Sequence, residues 1–134
     1  MAYFTVPLKS KNIKHLNPLV RIIGAFCIWS LLIPIVIADI WTTIYQEIYF
    51  SIYDIPKISK KDYLNMDRWD LDKLNIWQKL SCVYCEYANG TVAWLKAVAN
   101  QTEINSCAIK HKKQKLGEDH HKDFYDYEEF KTAK

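Results

Sequence analysis

Residues 82–107 read CVYCEYANGTVAWLKAVANQTEINSC, and whether they form one helix or a helix with a return decides the fold. Leu71, Leu74, Trp77, Leu80, Tyr84 and Tyr87 lead through the stretch at three- and four-residue spacing, the period of an amphipathic helix, with Asp70 placed to cap it. Asn89-Gly90 falls inside this pattern. A helix absorbs a glycine at a cost of about 1 kcal/mol, and the apolar series resumes at Trp94, Leu95 and Val98. Asn100-Gln101-Thr102 is the next place to stop.

Cys82 and Cys85 lie on adjoining turns of such a helix, and Cys107 and His111 are four apart, the other spacing that brings two helical side chains together. Three sulfurs and one imidazole are a set that tetrahedral zinc takes in closed structural sites. A helical rise of about 1.5 Å per residue would hold Cys85 and Cys107 roughly 33 Å apart, so a shared metal demands a reversal. A helix to about Ala99, a turn at Asn100 and an extended return through TEINSC satisfies it, because extended chain covers about 3.3 Å per residue against about 1.5 Å for helix. The zinc reading therefore predicts that residues 101–107 are not helical, and that Gly90 is a point of close packing rather than a turn. An iron–sulfur cluster on the same four residues, a Cys82–Cys85 dithiol and plain core packing remain alternatives. Thioredoxin-like chemistry needs its cysteines at a helix N-terminus, and covalent haem attachment needs histidine where Glu86 stands.

Working toward the N-terminus, residues 22–38 read IIGAFCIWSLLIPIVIA without a charge. Extended by Leu19, Val20 and Asp39, the segment reaches the roughly 20 residues needed to cross a bilayer. Cys27 reads as a small buried hydrophobe and Asp39 as a boundary residue at the interface. Tyr45, Tyr49 and Tyr53 follow on one face, a packing stripe on a helix expected to run to Pro56. Lys9, Lys11, Lys14 and Arg21 before the segment balance Lys57, Lys60, Lys61 and Arg68 after it, which leaves a single span and a hairpin re-entering at Pro34 both open.

The remainder of the 134-residue chain bounds function mostly by exclusion. Three glycines form no phosphate-binding loop, and a net charge of +3 without a concentrated basic face gives no nucleic-acid surface. His120 and His121, with Asp119 and Asp123, sit among mixed charges in GEDHHKDFYDYEEF, which reads as a solvated tail rather than a second metal site.

The run KKDYLNMDRWDLDKLNIWQKLSCVYCEYANG, followed by TE and CAIKH, resembles a family of small bacterial membrane proteins of uncharacterised activity. Their pattern is a Tyr-x-x-x-Asp-Arg stretch, a Leu-Asn pair, a Cys-x-x-Cys-x-Tyr-Ala-Asn-Gly block and a Cys-Pro-Ile-Lys-His ending. The match runs from Ile52 to His111 and includes Tyr63, Asp67, Arg68, Leu74, Asn75, Cys82, Cys85, Tyr87, Asn89, Gly90, Glu103, Cys107 and His111, while Ala108 replaces the proline and Glu86 a glycine. The resemblance implies a bacterial source.

The expected architecture is mainly α. It comprises a basic segment 1–18, a membrane anchor and interfacial helix 19–55, a connector 56–69, a small helical Cys/His domain 70–112 closed by a metal-stapled return, and a polar tail 113–134. Zinc on Cys82, Cys85, Cys107 and His111 leaves no position for water, which points away from hydrolytic chemistry and toward an accessory or adaptor protein. The alternative is a membrane-bound redox protein. Tyr63, Asp67 and Arg68 read as polar surface or supporting residues, with Asp67 holding Arg68. The expected setting is the bacterial inner membrane, soluble part on the cytoplasmic face, beside lipid and a larger membrane protein or complex.

Overall fold

A computed structural model describes residues 17–131; Lys9, Lys11 and Lys14 of the basic segment lie outside the described residues. The chain is mainly helical. Asn17 opens the first helix by accepting the Leu19 amide at 3.0 Å, with Pro18 at the first helical position, where a missing N–H costs nothing. Helix α1 (Pro18–Ser30) passes through Leu31 into α2 (Leu32–Tyr45) and on into one π turn (Gln46–Phe50), so residues 18–50 run as one helix. The hairpin at Pro34 is not formed. Proline removes the amide that would reach the Ser30 carbonyl, and the helix answers with a local turn at Leu31, whose N–H bonds Ile28.

The wide turn at 46–50 sets Gln46 and Phe50 into the protein. The helix then ends short of Pro56: Asp54 takes a left-handed φ of 52°, and the Ile55 amide caps the Phe50 carbonyl at 2.8 Å. The connector returns antiparallel to α2. Gln46 clamps it, accepting the Ile58 amide and donating to its carbonyl, both at 3.2 Å. Helix α3 (Ile76–Ser106) then runs parallel to the first helix, with Tyr84 bonded to Ile28, Tyr87 to Asp39 and Thr102 to Tyr45 in the same order along both.

Its cap, Asn75, stands five residues beyond the Asp70 that the periodicity suggested. Asn75 accepts the Gln78 amide at 2.9 Å while the Gln78 side chain accepts the Asn75 amide at 3.1 Å, a reciprocal box that Asp70, in a short 3-10 turn with Arg68 and Trp69, does not make. Its end is later as well. The 31 residues of α3 continue through TEINS, and the extended return beyond Asn100 is absent.

Phe50, Ile55, Trp94 and Val98 form the small core where the π turn, the connector and α3 meet, with Tyr45, Tyr49, Ile58 and Leu95 packed on it. The tyrosine stripe is a packing stripe: Tyr45 stacks on Tyr49, and their hydroxyls bond Thr102 at 2.8 Å and Ser106 at 2.9 Å. Gly90 is the closest approach of connector to helix. A Cβ there would lie 2.7 Å from Leu64 Cδ2 and closer still to the Tyr63 carbonyl oxygen. Close packing at Gly90 thus holds, although the metal closure that motivated it does not.

Asp39 is a buried acid rather than a boundary residue left to water. The Lys60 ammonium bonds both its oxygens and the Tyr87 hydroxyl donates to Oδ2 at 2.6 Å, tying α2, connector and α3 together. Burial, together with the bond to the Asp39 carboxylate, pushes the Tyr87 phenol up to about 12.

Candidate functional site

The four residues expected to share a metal stand in two separate places. Cys82 and Cys85 occupy the N-terminal half of α3, whereas Cys107 caps its far end and His111 lies beyond. An uninterrupted helix at about 1.5 Å per residue holds Cys85 roughly 33 Å from Cys107, so neither zinc nor an iron–sulfur cluster joins all four. The physical reason is local: Thr102 and Ser106 extend the helix by bonding the tyrosine stripe, a tertiary gain that outweighs the polar stop signals at residues 100–102. All four cysteines are free, and Cys27 is exposed on α1. Cys82 and Cys85 are also poorly set for a disulfide, since Cβ atoms three apart on a helix are about 5–6 Å distant and a disulfide needs about 3.5–4.5 Å.

Arg68 pairs with Glu86, not Asp67: its Nε reaches Glu86 Oε1 at 3.0 Å, while Asp67 accepts Asn65 at 3.1 Å. Glu86 is therefore the buried partner of an ion pair, its side chain 5% exposed against 55% for Arg68. Tyr63 contributes its backbone carbonyl to the Gly90 contact.

What the fold does assemble is a histidine–carboxylate cluster at the C-terminal end of α3. Beyond Cys107 the chain pairs briefly with itself, Lys110 N–H to the Tyr125 carbonyl at 2.8 Å and Tyr125 N–H to the Ala108 carbonyl at 2.9 Å. This pins residues 118–125 to the helix end. A 3-10 turn (Asp119–His121) then presents two successive imidazoles to Glu103 in the last turn of α3. His120 Nε2 lies 2.7 Å and His121 Nε2 3.3 Å from Glu103 Oε2. His121 is 4% exposed and stacks on the buried Phe124, ring centroids 4.4 Å apart.

Glu118 stands behind the cluster. Its carboxylate accepts the Lys115 amide at 2.9 Å, faces His121 Nδ1 at 3.6 Å and faces His111 Nε2 at 3.3 Å. The hydrogen bond to His120 holds the Glu103 carboxyl below the ordinary carboxylate range, against the opposing effect of burial. Glu103, His120 and His121 each offer one donor atom, all mutually within 4.8 Å, and among the described residues they form a group able to hold a metal ion.

The reading of residues 113–134 as a solvated tail is thus corrected for this segment. Asp119 and Asp123, the near neighbours in sequence, do not complete the cluster; Glu103, seventeen residues away on another element, does. No spacing rule links those positions. The available signal was Phe124, an apolar residue beside two histidines in a charged stretch, which marks a segment that docks. No family model, no curated protein and no solved structure matches the chain.

Proposed function

We propose that this is a membrane-anchored accessory protein, held in lipid by its first helix and displaying α3 and the C-terminal segment to a larger membrane protein or complex. One observation carries the reading. Residues 18–50 are a single helix long and apolar enough to cross a membrane, and α1 has no buried residue. Leu19, Ile22, Ile23, Phe26, Ile33 and Ile37 are all more than half exposed, a continuous apolar surface larger than a water-soluble monomer ordinarily presents.

The connector limits how far lipid extends. It carries Lys60 back to Asp39 and Arg68 back to Glu86, so charged chain already flanks α2 on the side that α3 covers. Tyr84 of α3 also touches the end of α1, its hydroxyl donating to the Ile28 carbonyl at 2.9 Å, so lipid contact belongs to the sides of α1 and α2 that α3 leaves uncovered. The bacterial source that the resemblance implies makes the inner membrane the setting, with the soluble part on the cytoplasmic face.

The cysteines supply the test. In single-cysteine chains held in native membranes, Cys27 is expected to resist a membrane-impermeant maleimide until detergent is added, whereas Cys107, exposed at the far end of α3, reacts in its absence once its face is accessible. Labelling of Cys27 at the rate of Cys107 in membranes opened without detergent rules out the anchor. Sealed vesicles of known orientation report the face.

A further inference from the structure

We propose that Glu103, His120 and His121 bind a divalent transition-metal ion of the zinc class, with Glu118 orienting His121 from behind. The argument starts from the imidazole of His121. A neutral imidazole has one N–H and one lone pair, yet carboxylates face both of its nitrogens, Glu118 at Nδ1 (3.6 Å) and Glu103 at Nε2 (3.3 Å). With the proton on Nδ1 toward Glu118, the Nε2 lone pair points at an anionic oxygen. That atom is buried and has no hydrogen-bond partner. A cation between Nε2 and Glu103 turns this repulsion into ligation.

The spacing fits. Zinc–nitrogen and zinc–oxygen bonds of about 2.0–2.1 Å at tetrahedral angles put neighbouring donors about 3.4 Å apart. His121 Nε2 and Glu103 Oε2 are already 3.3 Å apart. His120 Nε2, hydrogen-bonded to the same oxygen at 2.7 Å, needs to open by only about 0.7 Å to reach that spacing. Two imidazoles and a carboxylate form a borderline donor set suited to zinc and leave its fourth position to water.

The surroundings are those of a built site. Glu118 faces the ring nitrogen that His121 does not turn to the ion, as the carboxylate behind a metal-ligating histidine does. His111 in turn faces Glu118 at 3.3 Å, which gives this histidine a supporting place in a site other than the one its spacing to Cys107 suggested. Phe124 stacks on His121 and closes one side. Bound there, the ion joins the last turn of α3 to residues 118–125 and cross-links elements far apart in sequence, independently of whether the first helix lies in lipid.

The test is a zinc titration of the metal-stripped full chain in detergent micelles, with no polyhistidine tag. It is run beside Glu103→Gln, His121→Ala, Glu118→Gln and a Cys82/Cys85/Cys107→Ser triple variant. The expected result is one zinc per chain, unchanged in the triple variant and weakened about 10- to 100-fold by Glu118→Gln, the range for an orienting residue. Glu103→Gln and His121→Ala weaken it further. Glu103→Gln preserves side-chain shape and keeps the test meaningful should His121→Ala loosen the segment beneath Phe124. X-ray absorption of the zinc-loaded protein should show nitrogen and oxygen neighbours without sulfur, and amide exchange in residues 118–125 should slow on zinc addition. Absence of saturable zinc binding, sulfur in the coordination shell, loss of zinc in the triple variant, or undiminished affinity in Glu103→Gln overturns the proposal.

Discussion

Gly90→Ala should destabilise the protein, although alanine is the better helix former. On propensity alone the substitution gains about 1 kcal/mol. Here the added Cβ falls 2.7 Å from Leu64 Cδ2, where carbon atoms prefer about 3.5–4.0 Å, and it also meets the Tyr63 carbonyl. Leu64 can swing aside, but the carbonyl is backbone, so the connector has to move by nearly 1 Å. Overpacking of this kind costs about 1–3 kcal/mol, and a backbone collision belongs at the upper end, leaving a net loss of about 2 kcal/mol. Denaturant titration in mild detergent, followed by far-ultraviolet circular dichroism, measures it. Ala93→Gly, at an exposed position on the same helix, calibrates the propensity contribution. Protease cleavage within residues 56–69 should accelerate in the Gly90 variant. A stability gain near 1 kcal/mol with an unchanged cleavage rate would refute the close approach of connector and helix.

Three further outcomes follow from the packing around α3. Because Tyr87 is raised from 10.0 to about 12 in the folded protein, its contribution to stability is complete below pH 10 and is lost as pH rises through 12; Asp39→Asn should bring this titration back toward 10, read from phenolate absorbance against a Tyr87→Phe control. Arg68→Ala strands the Glu86 carboxylate and should cost about 2–3 kcal/mol, less than for a fully buried pair because the guanidinium is half exposed; Glu86→Gln in the Arg68→Ala background should recover most of it, and no recovery would contradict the pairing. Asn75→Ala removes the reciprocal cap and should cost about 1 kcal/mol, with faster amide exchange confined to the first turn of α3.

The helical architecture was legible because it rests on periodicity. The uncharged stretch from Ile22 to Ala38, the tyrosines four apart and the apolar series from Leu80 to Val98 each specify a helix over a long window. Gly90 was also legible, since a turn there conflicted with the series on either side of it. Helix ends were less so. Asp70 and Asn75 are both competent caps, and what selects Asn75 is the reach of Gln78 back to its amide.

The C-terminal end of α3 misled for a different reason. Asn100 and Thr102 are weak helix formers in isolation, but Thr102 and Ser106 receive the hydroxyls of Tyr45 and Tyr49, fifty-seven residues earlier, and such a contact has no local signature. Ligand spacing failed in the same way. Cys-x-x-Cys and Cys-x-x-x-His describe which side chains share a helix face, not whether two faces meet. The cluster that the fold does assemble draws Glu103 from a helix and two adjacent histidines from a turn, and Phe124 docks that turn.

The most direct test is a distance across α3. Nitroxide labels on Cys85 and Cys107, both exposed, with Cys27 and Cys82 replaced by serine, read the path of the chain between the two cysteine positions by pulsed electron resonance. A continuous helix predicts a distribution centred near 33 Å, from about 1.5 Å per residue, broadened by the label tethers. A distribution centred below about 20 Å, as a chain folded back beyond Asn100 requires, would contradict the account and restore the four-residue cysteine–histidine site.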